Sequence, residues 1–300
     1  MPSSYSYRIN RMKKLSKHWG LKLIHPLMSE YKIPNELFLE FKFYLKNYFC
    51  EALEFAYEEN DNVFISKLNS RRNFRKNVTP NGAIVPKREF NLEYNLFLRS
   101  WCKIINSLSG RNLKILRYFR MTPNIRVKYG KELEDNISRG LNTSYPHSDA
   151  WVEGPWGMNC FCPVFGDAKN NNLKFYKPIK FEDSFLKRSK SYTEMQWVLK
   201  YYKAIPFVPK KGHVYISDYA LIHNTMRKKN AKTRVSIDST VFVDKIHNPP
   251  SSRIKEYRNK IPLIGSEEII DSGQYADDVF SEKKNIFTHY TATSSRIIKL

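Results

Sequence analysis

The sequence predicts an α+β fold in which N-terminal helices pack on a jelly-roll, cupin-like β core. Up to about residue 108, apolar residues recur with a period close to 3.6, which is typical of amphipathic helices. After Gly110 the pattern changes to short extended segments separated by turn residues, which is typical of a sandwich or barrel. Helices followed by a run of strands describe helices packed on one β core.

Two amphipathic helices are predicted before this change of pattern. The first covers Asn35–Tyr57, as one helix or two, and the second covers Glu89–Leu108. Residues 69–87 between them carry prolines, an Asn-Gly pair and several basic residues, and are predicted to form a loop. A helical insertion is expected later, over Ser191–Ala204. The predicted strands are Asn124–Tyr129, Gly157–Phe165, Leu173–Tyr176, Gly212–Ser217 and Thr233–Val243.

The 300 residues are expected to form a single domain. Its predicted parts are a helical support region (1–115), the β core (116–247) with an insertion at 179–204, and a C-terminal extension (248–300). The four cysteines lack the paired spacing of a structural zinc site and are expected to be buried thiols in a reducing compartment. With no apolar run of membrane-spanning length and no apolar signal-peptide core, the chain is expected to be cytoplasmic.

The chain carries 51 Lys and Arg residues against 29 Asp and Glu residues, a net charge of +22. Such a surplus attracts phosphate, nucleic acid, anionic lipid or acidic sugar. The charges are scattered along the sequence and not gathered on one predicted helix, which favours a solvated surface. The sequence shows no aromatic RNA-binding signature, zinc-finger spacing or basic heptad pattern, so net charge alone supports a nucleic-acid partner.

A histidine and a carboxylate stand two residues apart in His147-Ser148-Asp149. In an extended backbone these side chains point to the same face and can meet one cation, although the tripeptide alone is equally typical of a surface loop. His223, after the apolar segment that begins at Gly212, is the candidate third ligand, or else a structural histidine. Two imidazoles and one carboxylate on Fe(II) leave positions for a bidentate 2-oxo acid and O₂.

The segment Thr233–Val243 alternates between apolar and polar residues. If its apolar face packs outside the barrel, Arg234 and Ser236 point inside. A buried arginine needs an anion, and its planar fork suits a carboxylate, such as the distal carboxylate of 2-oxoglutarate. The alternative is a structural salt bridge, for example with Asp238.

The joint order of these segments resembles the Fe(II)/2-oxoglutarate dioxygenase superfamily, and within it the phytanoyl-CoA-hydroxylase-like branch. The resemblance covers roughly residues 120–245. The regions His147–Phe165 and Gly212–Val243 look like bacterial oxygenases of carbohydrate-biosynthesis clusters, including the streptomycin-pathway type. The matching residues are His147-Ser148-Asp149, His223 and Arg234-Val235-Ser236.

The resemblance implies a double-stranded β-helix core with Fe(II) held by His147, Asp149 and His223. It also implies that Arg234 and Ser236 bind the C5 carboxylate of 2-oxoglutarate. Because Asp149 stands where a halogenase carries a small residue, hydroxylation or a related oxidation is favoured over halogenation. The expected enzyme uses O₂ to oxidise a small organic substrate, such as a sugar or glycan precursor, and decarboxylates 2-oxoglutarate to succinate.

Other residues near the candidate ligands have weaker signals. Asn159 is expected to contact the cofactor, whereas Tyr145, Trp151 and Trp156 are equally well explained by packing. The insertion Lys180–Lys203 lies between the proximal and distal ligands and is expected to form a lid. Its basic residues suit an anionic or sugar-linked small molecule, and a solvated helix face equally.

Two other functions compete with this interpretation. A basic nucleic-acid-binding or RNA-modifying protein is supported by the net charge and by Arg71, Arg72, Arg75 and Lys76, and predicts steeply salt-dependent binding. A cupin-like barrel without turnover, either metal-free or bound to zinc, would use the same three ligands as a binding site only.

Overall fold

The computed structural model describes residues 4–74, 91–108, 116–120, 123–133, 145–152, 157–243 and 297–299. The helices are α1 (Tyr5–Trp19), α2 (Asn35–Leu53), α3 (Asp61–Ser70), α4 (Asn91–Leu108) and the short α5 (Asp149–Val152), with 3-10 turns at Asp183–Leu186 and Gln196–Tyr201. The strands are β1 (Lys22–His25), β2 (Met28–Lys32), β3 (Leu116–Arg120), β4 (Asn124–Lys128), β5 (Gly157–Gly166), β6 (Asn171–Pro178), β7 (Tyr202–Ala204), β8 (His213–Asp218), β9 (Ile222–Arg227), β10 (Arg234–Val243) and β11 (Ile297–Lys299).

Local sequence sets the limits of the first helices. Helix α1 follows Ser4, whose side chain accepts a hydrogen bond from the Tyr7 backbone N–H, and it ends at Gly20, whose φ of 63° is left-handed. Helix α2 ends at Leu53 because Glu54 also takes a left-handed conformation, with φ of 56°. The predicted helix Asn35–Tyr57 is therefore a single helix that ends before its predicted C-terminus.

Helices α2 and α4 form a layer against the β core. The buried Phe97 and Trp101 of α4 pack on Phe41 of α2, with ring centroids 5.6 and 5.5 Å apart. Leu92 of α4 is exposed. The prediction of two amphipathic helices is confirmed within the described ranges. Among the described residues, no helix is both long enough and apolar enough to cross a membrane.

The strands form two antiparallel sheets with the topology of a double-stranded β-helix. The larger sheet has the order β1-β2-β8-β5-β10-β3-β11, with β4 also paired to β10, and the smaller has the order β7-β6-β9. A backbone bridge between His147 and His223 extends the smaller sheet beyond β9. From β5 to β10 the chain passes repeatedly between the two sheets, so the predicted jelly-roll class is confirmed.

The sequence predicted some strands and missed others. All five predicted strands are present within two residues of their expected limits. Strands β1, β2, β3, β7, β9 and β11 were not predicted, because they are short or interrupted by polar residues. The Ser191–Ala204 insertion is not an α-helix: it contains the 3-10 turn and strand β7. Apart from β11, the predicted C-terminal extension lies outside the described residues.

Side-chain alternation separates the helical core from the barrel interior. Val235, Ile237 and Val241 of β10 lie in the hydrophobic cluster shared by the helices and the larger sheet. Cys160 and Cys162 of β5 point to the same side, and all four cysteines are buried free thiols, as predicted. A second apolar cluster joins the smaller sheet, α5 and the insertion.

Helix α1 is fixed to the β core by a buried ion cluster. Arg8 Nη1 lies 2.5 Å from Asp218 Oδ1, and Arg11 Nη2 bonds the other carboxylate oxygen. All three side chains are almost completely buried. Burial alone would raise the pKa of Asp218, but the charges of Arg11 and Arg8 outweigh it and lower that pKa.

Replacing Asp218 by Asn should destabilise the protein strongly, because it removes the negative charge that both buried guanidinium groups bond. We expect the free energy of unfolding to fall by about 3–5 kcal/mol in urea denaturation at neutral pH. Glu40→Gln is the control, since Glu40 pairs with Lys103 at 2.7 Å on the partly exposed surface. Its effect should stay below about 1 kcal/mol. Equal losses in the free energy of unfolding for both substitutions would contradict the conclusion that this ion cluster fixes α1 to the β core.

Candidate metal and anion site

The candidate site is a cavity of about 230 Å³ between the two sheets. Inward-facing side chains of β4, β5, β8 and β10 line one side, and side chains of β6 and β9 line the other. All six residues predicted to bind metal or cofactor lie along it. They are His147, Asp149, Asn159, His223, Arg234 and Ser236.

Backbone pairing brings the two histidines together. The His147 N–H donates to the His223 carbonyl at 3.0 Å, and the His223 N–H donates to the His147 carbonyl at 2.9 Å. Their ring centroids are 4.6 Å apart. The two histidines are 76 positions apart in the sequence, and one antiparallel backbone pair at the sheet edge brings them together.

Hydrogen bonds also fix the orientation of both imidazoles. His147 Nδ1 lies 2.8 Å from the Tyr145 carbonyl, and His223 Nδ1 lies 3.1 Å from the Leu221 carbonyl. A carbonyl only accepts, so each Nδ1 carries the proton and each Nε2 has a free lone pair. Each Nε2 lies 3.8 Å from one carboxylate oxygen of Asp149. One ligand atom of each residue lies within 4.8 Å of the others.

Asp149 reaches the histidines in a way that differs from the prediction. It is the first residue of helix α5 and not part of an extended segment. The turn is held at Tyr219, whose carbonyl accepts from the Ser148 hydroxyl at 2.8 Å and from the Ala150 N–H at 3.0 Å. The two side chains still meet, but because the chain bends between them.

The charge state of the site suits a cation. Burial, together with the neighbouring His223, lowers the pKa of His147, so its imidazole stays neutral at neutral pH. A neutral imidazole is the form that binds a metal. Two imidazoles and one carboxylate, with space left on the cavity side, form the donor set of non-haem Fe(II) oxygenases.

Asn159 contacts the ligand carboxylate. Its side-chain amide donates to Oδ2 of the Asp149 carboxylate, and Oδ1 of the same carboxylate faces His147. Such a bond fixes the orientation of a metal ligand. The structure therefore assigns Asn159 a contact with a candidate metal ligand, where the sequence predicted a contact with the cofactor itself.

Arg234 and Ser236 form the candidate anion-binding part of the cavity. Both are 1% exposed and, within the described residues, Arg234 Nε and Nη1 and the Ser236 hydroxyl have no hydrogen-bond partner. The Arg234 guanidinium lies 5.3 Å from the centre of the Phe161 ring. Burial lowers the pKa of Arg234 to about 10, which still leaves it charged at neutral pH. A buried cation of this kind needs an anion.

The salt bridge considered as an alternative for Arg234 is not formed. Asp238 instead accepts from Arg126 Nε at 2.8 Å and from the Asn124 amide at 2.9 Å. Arg126 was missed by the sequence analysis, although the polar alternation of β4 was a signal for it. Its position beside β10 depends on the sheet pairing.

The other residues singled out near the ligands lie away from the cavity or outside the described ranges. Tyr145 is exposed, and Trp151 is buried and donates to the Phe185 carbonyl at 2.9 Å. Trp156 lies outside the described residues. From the insertion it is Tyr192 that lines the cavity, 4.8 Å from the His147 ring. The exposed basic residues Lys187, Arg188 and Lys190 do not line it.

Comparison with known proteins gives structural similarity only. No family model matches the sequence, and no curated protein does. The non-heme alpha ketoglutarate dependent epimerase SnoN from nogalamycin biosynthesis is 9% identical, with a TM-score of 0.40 over 81% of this chain and 91% of its own. AviO1 from Streptomyces viridochromogenes is 11% identical, with a TM-score of 0.44 over 79% and 97%. An N-substituted L-amino acid dioxygenase from Burkholderia ambifaria is 10% identical, with a TM-score of 0.37 over 72% and 82%. The function must therefore be argued from the site itself.

Removing the Asn159 amide should weaken metal binding. Without its donor the Asp149 carboxylate is free to rotate, so Asn159→Ala should raise the Kd for Co(II), used as a spectroscopic probe, by about 10- to 100-fold. Ser217→Ala is the control, because Ser217 lines the same cavity opposite Asn159 on the neighbouring strand. A similar Kd for wild type and Asn159→Ala would exclude this role of Asn159.

Proposed function

We propose that this chain is a non-haem Fe(II)/2-oxoglutarate-dependent oxygenase. One observation carries the proposal: the same cavity holds three candidate metal ligands together with the buried Arg234 and Ser236, whose Nε, Nη1 and Oγ atoms have no hydrogen-bond partner among the described residues. The first group fits Fe(II), and the second fits the carboxylate of a dicarboxylic cosubstrate. Neither group alone would distinguish an oxygenase from a binding barrel.

His147, Asp149 and His223 would hold the iron, and Asn159 would keep the Asp149 carboxylate in position. Arg234 and Ser236 would bind the C5 carboxylate of 2-oxoglutarate, while the Phe161 ring excludes water beside the guanidinium. With iron and cosubstrate bound, the site would supply O₂-dependent oxidation of a substrate C–H bond coupled to decarboxylation of 2-oxoglutarate to succinate. The protein contributes orientation and enclosure.

The substrate we propose is a small polar molecule, such as a sugar or glycan precursor. Hydroxyl and amide groups of Asn124, Ser217, Thr225 and Thr240 line the cavity beside the apolar Phe175. Such a mixture suits a molecule with several hydroxyl groups on a carbon frame. Lys128 adds positive charge on β4, which suits an anionic substituent. We place the reaction in the cytoplasm.

The two rival functions receive less support. Arg71 donates to the Glu54 carbonyl and lies 5.6 Å from the Phe74 ring centre, and Arg72 donates to the Asn69 carbonyl at 3.3 Å. These two arginines therefore stabilise the end of α3, and Arg75 and Lys76 lie outside the described residues. Zinc binding alone would not explain why Arg234 is buried in the same cavity with two nitrogens that lack a hydrogen-bond partner among the described residues.

Anaerobic titration with Fe(II) and 2-oxoglutarate tests the proposal directly. Wild type should develop the weak visible charge-transfer band of a chelated 2-oxo acid, and His223→Ala should lose it because a metal ligand is missing. His213→Ala is the matched control, since His213 of β8 faces Glu30 of β2 and does not line the cavity. Well-folded, iron-loaded wild type without a band would exclude the oxygenase, and zinc retention without succinate formation would favour the binding barrel.

Arg234 should determine the affinity for 2-oxoglutarate. Arg234→Gln should raise the KM for 2-oxoglutarate in succinate formation by about 10- to 150-fold, the equivalent of about 1.5–3 kcal/mol for hydrogen bonds to a charged group. Arg234→Lys should recover part of the loss, because it keeps the charge without the fork.

Arg227→Gln is the control for this measurement, because Arg227 is exposed at the end of β9. Its KM should equal that of wild type. If Arg234→Gln left the KM unchanged, the cosubstrate anchor would have to be assigned to another cation.

A further inference from the structure

Exposed apolar side chains gather on the insertion beside the smaller sheet. Ile179, Phe181, Trp197 and Tyr201 expose 68%, 40%, 49% and 41% of their surface. The Trp197 and Tyr201 rings are 6.4 Å apart, and the Ile179 N–H donates to the Tyr201 carbonyl at 2.8 Å. We call these four residues the apolar patch. A contiguous exposed group of this kind is typical of an interaction surface.

The apolar patch stands on a fixed base. The buried Phe185 stacks on Tyr201 at 5.3 Å and contacts Trp197 at 6.1 Å. Phe181 packs on Tyr5 of α1 at 5.1 Å. The rings are therefore held in outward-facing positions by the folded core, and their exposure is a property of the fold.

The segment that carries the apolar patch is strongly basic. Residues 179–211 contain eight exposed Lys and Arg residues against three acidic residues, a surplus of five positive charges. Two of the acids already accept backbone N–H groups: Asp183 from Tyr5 at 2.7 Å and Glu194 from Lys190 at 2.9 Å. The exposed cations are Lys180, Lys187, Arg188, Lys190, Lys200, Lys203, Lys210 and Lys211.

The apolar patch adjoins the candidate active site. Gln196, which precedes Trp197, donates its amide to the Pro146 carbonyl at 2.8 Å, next to His147. Tyr192 of the same segment lines the cavity. The segment that carries Trp197 thus also forms one wall of the cavity, so a contact made by the apolar patch lies close to the metal ligands.

The chemistry of this surface fits a lipid bilayer better than a nucleic acid. Aromatic rings favour the headgroup level of a membrane, aliphatic side chains enter the acyl boundary, and lysines attract anionic headgroups. Each such cation near an anionic surface increases partitioning about fivefold. A single-stranded nucleic acid would use ring faces and cations, but it would give the aliphatic Ile179 nothing to bury against.

We propose that the apolar patch and the exposed cations of residues 179–211 dock the protein peripherally on an anionic lipid surface. The docked segment also forms one wall of the cavity. The contact requires no membrane-spanning helix. It also accounts for part of the net charge of +22, which the proposed oxidation leaves unexplained. The inference goes beyond the proposed function and does not require bound metal or cosubstrate.

Sedimentation of the full chain with vesicles tests this inference. Binding should be at least about tenfold greater for equimolar phosphatidylglycerol and phosphatidylcholine than for phosphatidylcholine alone. Tryptophan emission should shift to shorter wavelength on binding, and Trp197→Phe should remove most of the shift. The double substitution Ile179→Ser with Trp197→Ser should lower binding by about tenfold or more, because two apolar side chains can no longer be buried.

Leu39→Ser with Leu92→Ser is the matched control, because these side chains are exposed to a similar extent, 63% and 62%, on α2 and α4. It should leave vesicle binding unchanged. Absence of sedimentation with anionic vesicles would overturn the proposal. So would binding that the apolar substitutions do not affect and that RNA homopolymer abolishes, which would indicate a polyanion surface. The Fe(II)/2-oxoglutarate band, measured in the same variants, separates these results from failure of the proposed function.

Discussion

The site depends on one constraint, the alternation of side chains along β10. This strand lies in the middle of the larger sheet, with β5 on one side and β3 and β4 on the other. Its apolar residues face the helical core, so its polar residues must face the cavity. The packing energy of residues such as Val235 and Ile237 therefore holds Arg234 and Ser236 inside the barrel. A register shift by one residue would place the guanidinium in the apolar core.

Two buried charge clusters show how differently the protein treats a fold contact and a candidate binding site. Asp218 is surrounded by Arg8 and Arg11, and the cluster ties α1 to the end of β8. Arg234 is equally buried but forms no ion pair among the described residues. An uncompensated buried cation costs stability, and it persists where a ligand completes it. The contrast is the physical reason for placing an anion at Arg234.

Backbone pairing and side-chain hydrogen bonds have separate roles in placing the two histidines. The bridge between His147 and His223 sets the distance between the two imidazoles, and bonds to backbone carbonyls turn their Nε2 atoms towards Asp149. The two candidate histidine ligands are thus positioned by backbone pairing and not by side-chain contacts with each other. The insertion adds Tyr192 to the cavity lining.

The sequence by itself determined the fold class, the five main strands and the inward direction of Arg234, because the period of a strand or helix is a local property. It also indicated the three candidate metal ligands, through the order of the motifs. It did not determine strand β9, whose polar residues hide its period, or the bend that makes Asp149 a helix residue. Only the tertiary structure decided that Asp238 pairs with Arg126, while Nε and Nη1 of Arg234 have no hydrogen-bond partner among the described residues. That choice depends on β4 lying beside β10, and a contact between strands more than a hundred residues apart is set by packing of the whole core.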